Sequence, residues 1–244
     1  RGAGPRADEP SCDGSSARSK VLIYGSGSQS GDMTHQGGYV MCTTREFLDM
    51  GFTSEPFRSG AHVCLLYETE EERRELISKF LDAGLRDGER VAYFTDLMTP
   101  DELLAWLSSL GVSIPKGDDA RRFSVVDAES VYCPQGHFDP ERMFEYWSRL
   151  YEDSVARHYP AVRATGETTW AVRGIPGSER LIEYEALLNK TLEKTPVTAV
   201  CQYDVNLFDG GTILDIPRVH PVIISRGQLV ENPLYIGPDE FLAS

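Results

Sequence analysis

The chain alternates between short apolar runs and longer segments in which apolar residues recur every three or four positions. The apolar runs predict five strands, at His62–Tyr67, Arg90–Thr95, Phe123–Val126, Ala161–Thr165 and Val197–Tyr203. The segments between them predict amphipathic helices at about 69–88, 99–111, 139–151 and 178–194. Two further runs flank Arg226-Gly227 and predict a closing antiparallel hairpin, at Val222–Ser225 and Gln228–Val230. This alternation predicts an α/β fold with a mostly parallel sheet flanked by helices on both faces.

The first 40 residues differ in composition from the rest of the chain. They hold 8 of the 22 glycines together with many serines, which predicts a flexible leader over residues 1–40. Residues 41–60 are a lead-in segment, in which Thr43–Met50 is expected to form a short amphipathic helix. Residues 61–244 then form the main α/β domain.

Composition restricts the class of protein and its partners. The formal charge of −14 and the pI near 4.8 give an acidic surface that disfavours direct binding of nucleic acid or anionic lipid. No apolar stretch approaches the roughly 18 residues that a membrane span needs. Five separated cysteines without a CxxC pair fit reduced thiols, so we expect a cytoplasmic protein.

The connection after the first predicted strand lacks the residues of a phosphate-binding loop. His62–Tyr67 runs directly into Glu68-Thr-Glu-Glu-Glu72, whereas a nucleotide-binding loop has glycines and a lysine there. Thr69 and Glu72 have the spacing of a helix capping box. The sequence therefore favours detection of another ligand over nucleotide hydrolysis.

Polar and aromatic residues follow the carboxyl ends of the predicted strands, where open α/β sheets bind ligands. These candidate ligand-binding residues are Tyr67, Glu68, Asp96, Asp127, Glu129, Tyr132, Glu167, Trp170, Tyr203 and Asp204. Aromatic walls with a few carboxylates suit a small organic or cationic ligand. The alternative for each residue is structural, because acidic residues cap helices and aromatic residues pack beneath loops.

Cysteine and histidine residues form a second set of candidates. A zinc, haem or redox site is possible if their segments converge, although their spacing matches no standard metal motif. These candidates are His62, Cys64, Cys133, His137, Cys201 and His220. His62 and Cys64 are two apart on one strand and therefore face the same side. Nucleophilic catalysis has no support, since there is no GxSxG elbow, and we expect no enzyme activity.

Several separated motifs resemble one family of sensory domains. The motifs are His62-x-Cys64-x-x-Tyr67, Tyr132-Cys-Pro-Gln-Gly-His-Phe-Asp-Pro140, Thr165-Gly-Glu167 with Trp170, Arg173-Gly-Ile-Pro-Gly-Ser178, Cys201-Gln-Tyr-Asp204 and Val219-His-Pro221. Over about residues 56–243 the chain resembles the MEDS domain of methanogens, methylotrophs and the dichloromethane-responsive regulator. That resemblance implies a RecA/KaiC-like fold with degraded ATP machinery, and a sensor of small molecules such as hydrocarbon derivatives.

The expected function is therefore a non-catalytic sensory domain acting in signal transduction or transcriptional control. Its ligand would be a small organic molecule. Because no DNA-binding or kinase segment is recognisable in the sequence, output is expected through a protein partner or a homo-oligomer. The sequence does not identify a cofactor. A Cys/His-based metal, haem or redox sensor, a RecA-like nucleotide-binding protein and a scaffold that recognises only protein are the alternatives.

Overall fold

The computed structural model describes residues 45–243, so the predicted leader over residues 1–40 lies outside the described residues. The strands are β1 (Phe47–Leu48), β2 (Phe57–Arg58), β3 (His62–Tyr67), β4 (Arg90–Thr95), β5 (Phe123–Asp127), β6 (Val162–Glu167), β7 (Val197–Asp204), β8 (Val222–Ser225) and β9 (Gln228–Glu231). The α-helices are α1 (Glu70–Arg86), α2 (Pro100–Ser109), α3 (Ala128–Tyr132), α4 (Pro140–Ala156), α5 (Leu181–Leu192), α6 (Gly210–Val219) and α7 (Pro238–Ala243). All five predicted parallel strands and the closing hairpin are confirmed.

A seven-stranded sheet organises the described residues. Its order is β5-β4-β6-β7-β3-β8-β9, and every neighbouring pair is parallel except β8 with β9. Parallel neighbours need crossover connections, and the helices supply them. The carboxyl ends of β4, β6, β7 and β3 therefore lie side by side along one edge of the sheet.

Side-chain alternation along the strands creates two separate cores. On β3, Val63, Leu65 and Tyr67 pack into the core beneath α1 and α2, whereas Cys64 packs on the opposite face. Helices α4, α5 and α6 cover that opposite face with residues such as Trp147. The period of two in an extended strand thus decides which core each strand residue enters.

Local signals in the sequence explain where the helices begin. The Thr69 side chain accepts a hydrogen bond from the Glu72 backbone, and Thr99 forms a full capping box with Glu102. Asp139 caps α4, in which Pro140 occupies the first helical position, where a missing N–H costs nothing. None of the described helices is long and apolar enough to cross a membrane.

The hairpin between β8 and β9 follows from its two turn residues. Arg226 and Gly227 have φ angles of 50° and 73°. Positive φ at both central positions is the geometry of a type I′ turn, whose twist matches that of the flanking strands. The antiparallel edge of the sheet is therefore specified locally.

The lead-in segment differs from its prediction. Residues 45–50 of the predicted helix Thr43–Met50 are described, and they are not helical. Instead, β1 pairs antiparallel with β2. Leu48 and Met50 are both fully buried, but Phe47 is 53% exposed. Burial of every second residue is the pattern of an extended chain, so tertiary packing prevails over the weak helical signal.

A buried arginine joins α1 to the sheet. The Arg163 guanidinium donates to Glu89 at 2.5 Å and to the carbonyl oxygens of Phe80 and Asp49. Helix α1 has Gly84 at the point of closest approach, where an added Cβ would lie 2.5 Å from Cδ of Arg163. The hydrogen bonds fix the arginine, so it cannot move aside freely.

We predict that Gly84→Ala destabilises the protein despite the better helix propensity of alanine. Overpacking costs about 1–3 kcal/mol, and the propensity gain recovers at most about 1 kcal/mol. Urea unfolding of the full chain measures the difference. Gly210→Ala is the matched control, because an added Cβ there meets no atom within 4 Å. Equal effects of the two substitutions would contradict the steric explanation.

Candidate functional site

A buried arginine from α1 links the carboxyl ends of three strands. The Arg73 Nη1 atom donates to Glu167 on β6 at 2.8 Å, to Gln202 on β7 at 3.1 Å and to Tyr93 on β4 at 2.9 Å. Its other nitrogens bind Glu70 at 3.0 and 2.6 Å. The Arg73 and Glu167 side chains are both completely buried. The pair therefore forms an internal electrostatic centre at the sheet edge.

Glu167 has donors at both carboxylate oxygens. Oε1 accepts from Arg73 and, at 2.6 Å, from the Tyr93 hydroxyl. Oε2 accepts from the backbone N–H groups of Asp96 and Leu97, each at 2.6 Å. Burial and the neighbouring carboxylate raise the pKa of Tyr93 well above its ordinary value, so the phenol keeps the proton that it donates.

The same centre replaces a phosphate-binding loop. Between β3 and α1 the chain has only Glu68 and Thr69, and the first turn of α1 contains three glutamates. Although burial lowers it, the pKa of the Arg73 guanidinium is raised overall by Tyr93, Glu70 and Glu167. The basic residue that faces the strand ends is thus engaged by internal carboxylates.

The predicted aromatic walls lie in different cores. Tyr67 packs with α1 and α2, 5.8 Å from the Arg73 guanidinium carbon, and its hydroxyl lacks a hydrogen-bond partner. Tyr132 and Trp170 lie on the other face of the sheet. Tyr203 is also on that face, but its hydroxyl donates to Glu185 on α5 at 2.8 Å. The structure therefore brings together only Tyr132 and Trp170.

Tyr132 and Trp170 belong to a buried aromatic cluster. Their rings stack with centroids 4.9 Å apart, and Phe138 lies 4.8 Å from Trp170. The Trp170 indole Nε1 is buried without a hydrogen-bond partner. A buried donor without an acceptor is uncommon in folded proteins and marks a place where a polar group fits.

An ion-pair latch, formed by Arg173 with Asp96 and Glu129, joins the segments that contain Trp170 and Tyr132. Arg173 donates to Asp96 at 2.7 Å and to Glu129 at 2.9 Å. The Phe138 N–H donates to the Pro176 carbonyl at 2.8 Å, which joins the segment 127–140 to the segment 167–178. Two predicted acidic residues, Asp96 and Glu129, thereby share one arginine, which lies three residues after Trp170.

The remaining predicted acidic residues have local partners. Asp127 caps α3 by accepting from the Ser130 N–H at 2.7 Å. Glu68 is exposed, 3.6 Å from Arg226, and Asp204 accepts from the Asn206 N–H at 2.9 Å. A groove of about 590 Å³ lies elsewhere, beside Gly60, Pro196 and Pro221, and contains none of the predicted ligand-binding residues.

Three of the predicted Cys and His residues converge beneath α5. His62, Cys201 and His220 meet around Glu185, with one donor atom from each of the four residues within 4.8 Å of the others. Cys64 is buried beside Cys201 in the register of β3 and β7 but is not in this group.

Cys133 and His137 are not among these four residues. Cys133 is buried at the end of α3, and His137 is exposed. Sequence reasoning missed Glu185 as a member of the group. The available signal was its place four residues after Leu181, on the apolar face of α5.

The surroundings of Glu185, Cys201 and His220 shift the pKa values of all three side chains. Burial, together with His62, lowers the pKa of His220 to about 3, so that imidazole is neutral. Burial and then Glu185 raise the pKa of the Cys201 thiol well above its ordinary value. Burial opposes the charge of Glu185, yet the hydrogen bond with His62 and the nearby His220 lower the pKa of this carboxyl overall.

Comparison with known proteins identifies one matching family. The sequence model of the MEDS domain, described as the methanogen/methylotroph, DcmR sensory domain, matches residues 61–221. The transcriptional repressor DcmR of Methylorubrum extorquens is 24% identical over 162 residues, which are 65% of this chain and 57% of that protein. The chain thus spans less than two thirds of the length of this relative.

Solved structures share the fold at low sequence identity. A KaiC-like protein of Pyrococcus horikoshii OT3 has a TM-score of 0.51 at 18% identity, over 68% of this chain and 71% of that chain. The flagellar accessory protein FlaH of Methanocaldococcus jannaschii has a TM-score of 0.56 at 12% identity, over 75% of this chain and 84% of that chain. An uncharacterized protein of Pyrococcus horikoshii, solved with an unknown peptide, has the same TM-score and identity over 75% and 91%. The predicted RecA/KaiC-like fold is confirmed.

We predict that Glu167→Gln lowers the free energy of unfolding by about 3 kcal/mol, because it removes the buried carboxylate and leaves the buried Arg73 cation with only the partly exposed Glu70 as its counter-ion. Urea unfolding of the full chain measures this loss. Glu129→Gln is the matched control, since it removes a carboxylate from the exposed pair with Arg173 and should cost at most about 1 kcal/mol. A loss for Glu167→Gln no larger than that of the control would contradict the electrostatic role of the pair.

Proposed function

The chain belongs to the MEDS family of sensory domains, and we propose that it is a non-catalytic sensor of a small organic molecule in transcriptional control. The Arg73–Glu167 pair is the observation that supports the proposal that the domain is not catalytic. It places an internal carboxylate against the cation at the strand ends, where a nucleotide-binding protein needs free donors for phosphate. The acidic first turn of α1 adds repulsion toward a triphosphate.

We place the ligand at the aromatic cluster around Trp170. The Tyr132, Phe138 and Trp170 rings offer dispersion contacts to a small apolar or cationic group. The unpartnered Trp170 N–H offers one hydrogen bond, and Asp96 and Glu129 supply negative charge at the edge. Of the predicted ligand-binding residues, Tyr132 and Trp170 would be the walls, with these two acidic residues as polar contacts.

Ligand entry requires the latch to open, because Trp170 is fully buried. The Arg173 ion pairs and the hydrogen bond between Phe138 and Pro176 hold the segments 127–140 and 167–178 together. A ligand that binds the open arrangement more tightly than the closed one would shift the population toward it. The two segments are thus the proposed two-state element of the sensor.

The output would pass through a protein partner or a second copy of the chain in the cytoplasm. The net charge of −14 disfavours direct DNA contact by this domain. DcmR, a transcriptional repressor, matches this chain over only 57% of its length. DNA binding in a protein of this kind would therefore belong to another part of the protein or to a partner.

We predict that Trp170→Phe weakens binding of small organic probes at least about tenfold, the effect of losing one buried hydrogen bond of roughly 1.5 kcal/mol. Thermal unfolding of the full chain is followed against increasing acetone or cyclohexanone, whose carbonyl oxygen can accept the hydrogen bond of the Trp170 indole N–H. Trp106→Phe is the matched control, because Trp106 lies on the opposite face of the sheet. The affinity of this variant for the probes should be unchanged. No stabilisation by either probe would contradict the ligand class. Equal losses in the two variants would contradict the location.

We predict that magnesium ATP gives no heat of binding in a calorimetric titration of the full chain. The reason is that the Arg73 guanidinium, which faces the strand ends, is already bound by the carboxylates of Glu70 and Glu167. Saturable binding that is lost in Arg73→Met would contradict the non-catalytic proposal and favour a nucleotide-binding protein.

A further inference from the structure

We propose that His62, Glu185, Cys201 and His220 form a binding site for one divalent transition-metal ion of the zinc class. The four donor atoms come from separate elements and lie within 4.8 Å of one another. All four residues are buried. This site is distinct from the Arg73–Glu167 pair and from the aromatic cluster, and it does not depend on the proposed ligand.

Four of the six distances between the donor atoms lie close to the edges of a tetrahedron around a metal ion, and the other two are at most 4.8 Å. The Glu185 Oε2 atom lies 3.1 Å from His62 Nε2 and 3.6 Å from His220 Nε2. The Cys201 sulfur lies 3.5 Å from His62 Nε2 and 3.7 Å from the same carboxylate oxygen. Bonds of about 2.0 Å to nitrogen or oxygen and about 2.3 Å to sulfur give tetrahedral edges of roughly 3.3–3.5 Å.

Hydrogen bonds on the far side of each imidazole direct a lone pair toward this centre. The Asn189 amide nitrogen donates to three backbone carbonyls, which leaves its Oδ1 to accept from His62 Nδ1 at 3.1 Å. His220 Nδ1 donates to the Ile216 carbonyl at 2.8 Å. A ring that has its single proton on Nδ1 has a free lone pair on Nε2, which is the tautomer that a metal ion requires.

The centre therefore gathers more acceptors than donors, since the Cys201 thiol, 3.7 Å away, is the donor that the Glu185 Oε2 atom has there. Both Nε2 atoms face the Glu185 carboxylate, and the His220 Nε2 atom is buried without a hydrogen-bond partner. Lone pairs at such distances repel one another unless a cation lies between them. A proton on His62 would satisfy the contact with Glu185, but it would leave His220 Nε2 unpartnered. A metal ion engages all of them at once.

The surrounding contacts fit a closed metal site. The Tyr203 hydroxyl donates to the second oxygen of Glu185 at 2.8 Å, which orients the carboxylate. Mixed nitrogen, sulfur and oxygen donors in a tetrahedron favour zinc among common divalent ions. With four protein ligands and no open position, the ion would hold α5 against β3, β7 and the carboxyl end of α6.

The first test is made on the unaltered full chain. We expect about one equivalent of zinc in protein purified without added metal. After chelation, cobalt(II) should restore one equivalent and give the visible absorption of a tetrahedral ion together with a thiolate-to-cobalt charge-transfer band. A chain that binds neither zinc nor cobalt stoichiometrically would overturn the proposal, as would cobalt bound without the charge-transfer band.

Matched cysteine variants locate the site. Cys201→Ser should abolish the charge-transfer band, whereas Cys133→Ser, which also removes a buried thiol, should retain it. His220→Gln should weaken zinc binding at least about 100-fold. Loss of a residue that only hydrogen-bonds to a metal ligand weakens binding by about 10- to 100-fold, so a loss of this size indicates a direct ligand. Circular dichroism shows whether each variant folds. Retention of the band in Cys201→Ser, or its loss in a folded Cys133→Ser variant, would overturn the assignment.

Discussion

The Arg73–Glu167 ion pair decides what the carboxyl edge of this sheet can bind. In nucleotide-binding sheets the anion at this edge belongs to the ligand, and the protein supplies backbone donors and a cation. Here Glu167 supplies the anion, and Arg73, Tyr93 and two backbone N–H groups already satisfy both its oxygens. A phosphate at this position would have to displace a buried carboxylate from four donors. Arg73 also joins α1 to three strands. The same contacts therefore stabilise the fold and occupy the position where a phosphate would bind.

Most of the fold could be predicted because its signals are local. Five parallel strands and their main helices follow from apolar periodicity, and caps such as Thr99 fix where the helices start. Helix α6 was not predicted, because Gly210, Gly211 and Pro217 all disfavour a helix. It forms nevertheless, with Asp209 as its cap and Ile216 completely buried. Where propensity and burial disagree, the sequence alone does not show that burial prevails.

The candidate site was harder to predict for a geometric reason. The rule that strand ends meet at one edge correctly brings Glu167 and Asp96 together, but it does not state which face of the sheet a side chain takes. Tyr67 and Trp170 consequently lie in separate cores. The more informative signal is a charged residue on an apolar helix face. Arg73 lies three residues before Leu76 and Glu185 four after Leu181, and both turn out to be buried centres.

The two buried carboxylates differ in how their charge is balanced. Every contact of Glu167 comes from a group whose proton is certain: a guanidinium, a phenol and two backbone amides. The Oε2 atom of Glu185 instead faces two imidazole nitrogens whose opposite nitrogens already donate to carbonyls, and a thiol sulfur. Buried acceptors without donors are costly, because the low dielectric strengthens their mutual repulsion. The first centre is therefore complete within the protein, whereas the second is completed by a cation, and four converging donor atoms favour a metal ion over a single proton.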